Sequence, residues 1–129
     1  MDAIAAACPP GPLSGRDLVH GNFNLANTIA TPGRLWVVDV EALGSGPRAY
    51  DLAEALLVGA RHSHVTESAA ARLWAYAAGL DRREFAVCAG SVGLTMAESF
   101  LRHGRAGEAA GAVPGLVRAL EQALALATA

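Results

Sequence analysis

Hydrophobic and polar positions follow two different patterns along the chain, and the pattern changes near residue 50. Before that point, the runs "NTIAT" and "RLWVVDV" are β-prone and are joined by Pro32-Gly33, a pair typical of tight turns. These runs predict a β-hairpin that follows a short extended "DLV" segment. The stretch "EALGSGPRAY" is rich in turn formers and predicts a loop.

After the change, apolar residues recur every three to four positions, which predicts helices. The predicted helices span residues 51–61, residues 66–78, the segment from Asp81 to Gly104, and residues 114–127. Asp81 and Glu84 have capping-box spacing, and Pro114 suits the first turn of a helix. A further helix end is predicted at residues 2–8, before the first prolines.

Together these elements predict an α+β, mainly helical fold in a single domain over residues 1–129. The β-hairpin and its loops would pack on one side of an antiparallel cluster of about four helices. Trp36, Trp74 and Cys88 are expected in the core of this domain.

Composition narrows the functional classes. A formal net charge of −2 gives no electrostatic basis for binding nucleic acid or an anionic membrane surface. Cys8 and Cys88 stand far apart without metal-ligand spacing, so reduced thiols are expected. The N-terminal "MDAIAAACPP" lacks the basic region of a signal peptide, and no apolar stretch is long enough to span a bilayer. We therefore expect a soluble, cytoplasmic protein.

Polar residues that could carry chemistry cluster around the predicted hairpin. Four of them precede it, in the segment "VHGNFNLAN": His20, Asn22, Asn24 and Asn27. Asp39, with Glu41 close behind, lies at the end of the second predicted strand. Mg²⁺ takes carboxylate and amide oxygens, waters and substrate phosphates as ligands, and Asn27 and Asp39 offer two such oxygens.

Each candidate also has a structural interpretation. His20 is either a residue that braces the loop or a catalytic acid or base. Asn22 and Asn24 either cap turns, since asparagine readily bonds its own backbone, or face a ligand. Asp39 and Glu41 would share one face of a strand, because they are two positions apart, and this favours a cation or proton-transfer site.

Residues 18–57 resemble the catalytic segment of the aminoglycoside phosphotransferase and choline kinase family; they read "LVHGNFNLANTIATPGRLWVVDVEALGSGPRAYDLAEALL". The family's pattern is His-Gly-Asp, four residues and Asn, then a hairpin, an Ile-Asp-Trp/Phe-Glu-like run and a Gly/Asp-Pro-x-x-Asp-Leu-Ala segment. The matching positions are His20-Gly21, Asn27, Val38-Asp39, Glu41, Gly46-Pro47 and Tyr50-Asp51-Leu52-Ala53. The resemblance implies the C-terminal lobe of the kinase fold.

The resemblance also implies roles for individual residues. In the family a loop Asp accepts or orients the proton of the substrate hydroxyl, and Asn22 holds that position here. A loop Asn and a hairpin Asp hold Mg²⁺ on the nucleotide phosphates, which implies Asn27 and Asp39 as metal ligands and Mg²⁺ as the cofactor. His20 corresponds to a histidine that braces the loop, and Asp51 to the acid that ties the following helix to it.

The chain departs from the family's pattern in three ways. Asn22 replaces the aspartate, and an amide cannot take up a proton near neutral pH. Only nineteen residues precede His20, where the family carries its nucleotide-binding lobe, so we expect that lobe to be absent. All ten basic residues are arginine, so no lysine is available to grip nucleotide phosphates. We therefore expect no autonomous ATP-dependent kinase activity.

Three functional classes remain open. The chain could bind a small molecule or a protein without transferring a phosphoryl group. It could instead catalyse a different reaction, for instance in bacterial secondary metabolism, with Asp39, Glu41 or His20 as acid or base. The third class is an aminoglycoside-type phosphotransferase whose nucleotide lobe comes from another chain.

The partner predictions follow from the same departures. Without the family's missing elements, the hairpin face and the stripe Leu116, Leu120 and Leu124 are expected to be partly exposed. Large exposed apolar patches mark interfaces, and a two-fold copy covers such a patch most simply. We therefore expect a homodimer or a complex with a neighbour-encoded protein.

Overall fold

The computed structural model describes residues 13–62, 65–103 and 106–128. The helix end predicted at residues 2–8 lies outside these ranges, as do Cys8 and Gly104. Within them the fold is α+β and mainly helical, as the hydrophobic pattern predicts.

The strands of the described residues form two antiparallel pairs: β1 Asp17–Val19, β2 Thr28–Thr31, β3 Arg34–Val37 and β4 Gly44–Gly46. β2 and β3 form the predicted hairpin, with Thr28 opposite Val37. β1 pairs with β4, with Asp17 opposite Gly46. The two strands of the β1–β4 pair therefore flank residues 20–43, and this segment contains the polar loop, the hairpin and the turn after it.

The hairpin turns at Gly33, whose φ of 76° is a left-handed conformation that glycine adopts without steric penalty. β3 ends at Val37, although the run "RLWVVDV" predicts a strand as far as Val40. Asp39 also adopts a left-handed conformation, with φ 62° and ψ 52°, and Val40–Ala42 form a short 3-10 turn. The extended backbone therefore stops before the acidic residues.

The helices of the described residues are α1 Arg48–His62, α2 Glu67–Ala78, α3 Arg82–His103 and α4 Ala106–Thr128. Thr66 caps α2, since its Oγ1 accepts a bond of 3.3 Å from the Ala69 N–H. Asp81 caps α3 through a bond of 2.9 Å from the Glu84 N–H. The Glu84 carboxylate bonds to Ser14 instead of completing the capping box.

The last helix begins well before its predicted start, and Pro114 lies inside it. An interior proline removes one intrahelical hydrogen bond. The helix continues past this point because the residues after it are buried in the core: Leu116, Ala119 and Ala123. No helix in the described part of the chain combines the length and apolar character needed to cross a bilayer.

The core lies between α1, α3 and α4, and its largest fully buried side chains are Phe85, Leu57, Val92 and Cys88. Leu120 packs onto α3 where Gly93 leaves room, since a Cβ there would lie 3.0 Å from the leucine methyls. Leu116 is buried and Leu124 is half-buried. The expectation of a partly exposed stripe of leucines on the last helix is therefore wrong for Leu116, which lies in the core, whereas Leu120 and Leu124 remain half-buried.

The hairpin does not share this core. Ile29 and Trp36 lie opposite each other on one face and are each 50% exposed. The Arg34 guanidinium lies 5.9 Å from the centre of the Trp36 ring. The prediction that Trp36 is a core residue is therefore wrong, whereas Trp74 packs edge-on against Phe85. The predicted exposure of the hairpin face is confirmed.

Candidate functional site

The polar loop between β1 and β2 is held by the first turn of α1. The Asp51 carboxylate accepts hydrogen bonds from the His20 N–H at 2.7 Å and from the Gly21 N–H at 2.9 Å. Gly21 has φ of 78°, and a Cβ on it would lie 2.8 Å from the Ala42 carbonyl oxygen. The loop is thus held between α1 and the turn that follows the hairpin. Asp51 ties the helix to the loop, as expected.

His20 is buried, and both of its ring nitrogens are bonded. Nε2 lies 2.9 Å from the Val38 carbonyl oxygen, which can only accept a hydrogen bond, so Nε2 carries the proton. Nδ1 accepts a bond of 3.3 Å from the Asn22 N–H. With one ring nitrogen donating and the other accepting, His20 connects the loop to the hairpin. This geometry favours the bracing role over that of a catalytic base.

Asn22 is the centre of a network of asparagines. Its Nδ2 donates to Asp39 Oδ2 at 3.3 Å, and its Oδ1 accepts from Asn24 Nδ2 at 3.0 Å. Its main-chain oxygen accepts from Asn27 Nδ2 at 2.8 Å and from Asn24 Nδ2 at 3.1 Å. Asn24 also caps the next turn, because its Oδ1 accepts from the Ala26 N–H at 2.9 Å. The turn-capping interpretation of Asn24 is therefore supported, and Asn22 is the link to the acidic residue.

Asp39 and Asn27 lie at the same end of the hairpin. The Val38 N–H donates to the Asn27 carbonyl oxygen at 3.0 Å, which extends the β2–β3 pairing by one step. The left-handed backbone of Asp39 costs about 1 kcal/mol for a residue with a Cβ. Aspartate tolerates this conformation better than most residues, and it occurs in ordinary turns as well as at functional sites. The turn thus holds the carboxylate of Asp39 next to the asparagine network.

Asn27 and Asp39 together fit the incomplete ligand set of a Mg²⁺ site. Asn27 Oδ1 and Asp39 Oδ1 accept no hydrogen bond from another described residue, so both oxygens are available. Mg²⁺ usually keeps several waters and takes one or two protein oxygens together with substrate phosphates. No group of three or more His, Cys, Asp or Glu side chains in the described ranges could hold a metal. A site here would therefore be completed by water and ligand oxygens.

Glu41 differs from its predicted position. It lies in the 3-10 turn, where strand alternation does not apply, so the expected shared face with Asp39 is wrong. Glu41 is exposed and forms no hydrogen bond or ion pair with another described residue. It adds negative charge close to the site, and the structure does not join it to the asparagine network.

Glu54 is a further acidic residue near the loop, and sequence reasoning missed it. It lies one turn after Asp51 on α1, and its Oε2 is buried without a hydrogen-bond partner among the described residues. Burial raises the pKa of Glu54 to about 7, and the nearby Asp51 carboxylate raises this pKa further. A main-chain hydrogen bond from Phe23 and the His20 ring lower the pKa and offset part of the shift. The available signal was a glutamate three positions after Asp51, within the apolar run "LAEALL".

We expect Glu54→Gln to stabilise the protein by about 1 kcal/mol at pH 8, after allowance for partial solvent screening. The folded-state pKa is raised above the ordinary value of 4.5, so the folded protein holds this proton more tightly than the unfolded chain. The contribution to stability is therefore fully present below about pH 4.5 and is lost as pH rises through about 7. Glutamine resembles the protonated form and removes this loss.

Urea unfolding at pH 5, 6, 7 and 8 measures the effect as the difference between wild type and variant. Glu121→Gln is the matched control, because Glu121 is an exposed glutamate on a different helix, α4. A difference between wild type and Glu54→Gln that stays constant across this pH range would contradict the prediction.

Comparisons of this chain with protein-family models, with curated proteins and with solved structures found no match. The site combines a braced loop, a central asparagine bonded to a carboxylate, and two oxygens beside them that accept no bond from another described residue.

Proposed function

We propose that this chain is a phosphotransferase-like protein that has lost ATP-dependent phosphoryl transfer and uses the loop site to bind a small molecule or a partner. One observation carries the proposal. The Asn22 Nδ2 donates to Asp39 Oδ2 at 3.3 Å, and in the sequence resemblance Asn22 corresponds to the family's proton acceptor. An amide cannot take up the proton of a substrate hydroxyl, and general-base assistance contributes about 10²–10⁴ in rate.

The same contact stabilises the site without a metal ion. An aspartate at position 22 would place a second carboxylate beside Asp39, and a cation would be needed to relieve the repulsion. The Asn22 amide instead donates a hydrogen bond to that carboxylate. The loop is therefore organised for binding rather than for proton transfer.

The chemistry of the site favours a ligand that carries amino and hydroxyl groups. Asp39 and Glu41 are exposed carboxylates, and neither forms an ion pair with an arginine of the described residues. An ammonium group of the ligand would pair with Asp39. Ligand hydroxyls would exchange hydrogen bonds with Asn24 and Asn27, whose side chains already line the loop.

If the pocket has been repurposed for a different reaction, Asp39 and Glu41 are the candidate acid and base. Both ring nitrogens of His20 are bonded within the loop, so His20 would act by positioning. This version of the proposal keeps the same ligand class and adds a proton-transfer step at a carboxylate.

A second candidate is the aminoglycoside-type phosphotransferase whose nucleotide lobe comes from another chain. The observation that favours it is the pair of oxygens on Asn27 and Asp39 that accept no bond from another described residue, because the sequence resemblance aligns these two residues with the family's Mg²⁺ ligands. Mg²⁺ bound there would neutralise phosphate charge. Asn22 would then position the substrate hydroxyl, so that transfer is slower rather than abolished.

We expect the 129-residue chain neither to bind Mg-ATP with micromolar affinity nor to hydrolyse it. The chain contains no lysine and no Gly-x-Gly-x-x-Gly loop to hold the phosphates. Calorimetry with Mg-ATP and a phosphate-release assay measure the two properties.

Asn22→Asp is expected to remain inactive toward an aminoglycoside, because a base is ineffective without a positioned γ-phosphate. Micromolar affinity, or measurable transfer by either protein, would favour the phosphotransferase alternative.

Binding of the proposed ligand class is tested on the same protein by NMR titration with a 2-deoxystreptamine aminoglycoside. Amide shifts should cluster at the loop, and Asp39→Asn should weaken binding by roughly tenfold, because the charge-assisted bond is lost. Inositol is the matched control, since it offers hydroxyls without amines. Equal affinity for inositol, or shifts confined to other regions, would contradict the proposed ligand class.

We also propose a cytoplasmic protein that forms a homodimer or a complex with a neighbour-encoded protein through the hairpin. The exposed face with Ile29 and Trp36 supports this proposal. A two-stranded hairpin with neither face covered is only marginally stable by itself, so a partner would stabilise it. Light scattering at micromolar concentration measures the assembly state, and a stable monomer would contradict the homodimer.

A further inference from the structure

A second concave site lies toward the other end of α1 from the polar loop. It is a cavity of about 550 Å³ between α1, α2 and α4. Gly59, on its wall, is about 12 Å along the helix axis from Asp51, so the cavity is separate from the loop site. Small-molecule pockets have volumes of about 300–1,000 Å³, so this half-open site has room for a small ligand.

Close backbone contacts frame the cavity. A Cβ on Gly59 would lie 2.6 Å from a methyl group of Val65, which precedes α2, and a Cβ on Gly115 would lie 2.8 Å from the Ala60 carbonyl oxygen. The two glycines therefore let the start of α2 and the middle of α4 approach α1 closely. Small side chains leave the space between these contacts open: Ala55, Ala70 and Ala119. The helices are already in contact at the two glycines, and the small side chains between these contacts leave the cavity open.

Apolar side chains form one wall of the cavity. Leu56 and Leu73 line it, together with Trp74. Trp74 is held from behind by Phe85, with ring centroids 5.9 Å apart and an interplanar angle of 84°. The indole is therefore a fixed wall against which an apolar ligand can pack.

The polar groups of the cavity carry a specific charge pattern. Arg118 and Gln122 lie one turn apart on α4, and both are exposed. Arg118 forms no ion pair with another residue of the described ranges, so its guanidinium is available to a ligand. Guanidinium and carboxylate groups match in geometry and form two parallel hydrogen bonds. Glu67, on the α2 side, disfavours a ligand with a second negative charge.

We infer that this cavity binds a small apolar monocarboxylic acid, with its hydrocarbon body against Trp74 and its carboxylate at Arg118. Apolar burial supplies most of the binding free energy, at about 25 cal/mol per Å² of apolar surface removed from water. Arg118 and Gln122 select the head group. This assignment does not depend on the function of the polar loop.

Decanoate is the probe, compared with 1-decanol and decylammonium, which have the same chain and different head groups. Trp36→Phe provides the background, because the chain has two tryptophans and the variant leaves Trp74 as the fluorescence reporter. We expect saturable binding of decanoate and at least fivefold weaker binding of the other two. Equal affinity for all three probes, or no saturable change in Trp74 emission, would overturn the assignment.

Two pairs of variants separate the head-group contact from the cavity. Arg118→Gln should weaken decanoate binding by roughly five- to tenfold and leave decanol unchanged. Arg83→Gln, which removes an exposed arginine on α3 outside the cavity, should change neither. Ala70→Phe should abolish binding of all three by filling the cavity, whereas Ala71→Phe changes the exposed neighbour and should leave binding intact. Full decanoate affinity in Arg118→Gln or in Ala70→Phe would overturn the assignment.

Discussion

Asp51→Ala is expected to lower the free energy of unfolding by about 3 kcal/mol, the largest single effect expected in the loop region. The Asp51 carboxylate accepts the backbone N–H groups of both His20 and Gly21, in a partly buried position. Alanine would leave both donors without this acceptor, and hydrogen bonds to charged groups contribute about 1.5–3 kcal/mol each. Since whole domains are stable by about 5–15 kcal/mol, the loss would be severe.

The natural control is Asp17→Ala. Asp17 also accepts two hydrogen bonds, from Nε and a terminal nitrogen of Arg48, but this pair lies at the surface. Solvent-exposed ion pairs contribute little, so the loss there should be much smaller. Urea unfolding measures both variants, and hydrogen exchange at the His20 and Gly21 amides locates the change. An Asp51→Ala variant as stable as Asp17→Ala, with the two amides still protected, would show that the loop is held by other contacts.

The sequence predicts those parts of the fold whose causes are local. The Pro32-Gly33 turn sets the hairpin because glycine reaches the positive φ that the turn needs. The capping role of Asp81 follows from the three-residue spacing to Glu84. The start of α4 does not have a local cause. Pro114 is typical of the first turn of a helix, but the helix begins earlier because the residues after Pro114 pack into the core and maintain helix on both sides of the proline.

Burial is the less predictable property, because it depends on which elements meet. Trp36 and Trp74 look alike in sequence, but one lies on the free-standing hairpin and the other packs against Phe85. Periodicity correctly identifies the apolar stripe of α4, and only the position of α3 shows how far each residue of this stripe is covered. Sequence therefore predicts the apolar faces, and the tertiary arrangement decides which of them remain exposed.

The candidate site also combines features that are visible in the sequence with features that depend on the tertiary arrangement. The order of His20, Asn22, Asn27 and Asp39 along the chain is visible in the sequence, and the structure brings them together. The left-handed turn at Asp39 is invisible to strand alternation, because the residues before it read as one continuous β run. The buried oxygen of Glu54 is equally hidden, since its environment is created by the loop folding over α1.

Asn22→Asp is expected to convert the loop from a self-stabilised site into a cation-dependent one. The substitution replaces the Asn22–Asp39 hydrogen bond of 3.3 Å by two neighbouring carboxylates. In buffer without divalent ions we expect a loss of about 1 kcal/mol in stability from the lost bond and the repulsion, because both side chains are exposed and solvent screens their charges. Mg²⁺ should restore it, because the new carboxylate, Asp39 and Asn27 offer three oxygens to the ion. Urea unfolding with and without Mg²⁺, and calorimetric titration of the ion, measure the two effects.

The charge-swapped double variant, Asn22→Asp with Asp39→Asn, is the matched control. It keeps one carboxylate and one amide facing each other and reverses the direction of the hydrogen bond, so the repulsion disappears. We expect it to recover most of the lost stability and to gain little from Mg²⁺, whereas Asn22→Asp alone should bind Mg²⁺ at least tenfold more tightly than wild type. If the single variant is as stable as wild type without Mg²⁺, or the swap fails to recover stability, the Asn22–Asp39 contact does not stabilise the loop. The amide would then be a passive replacement at this position, and the proposed adaptation of the site for binding would lose its structural basis.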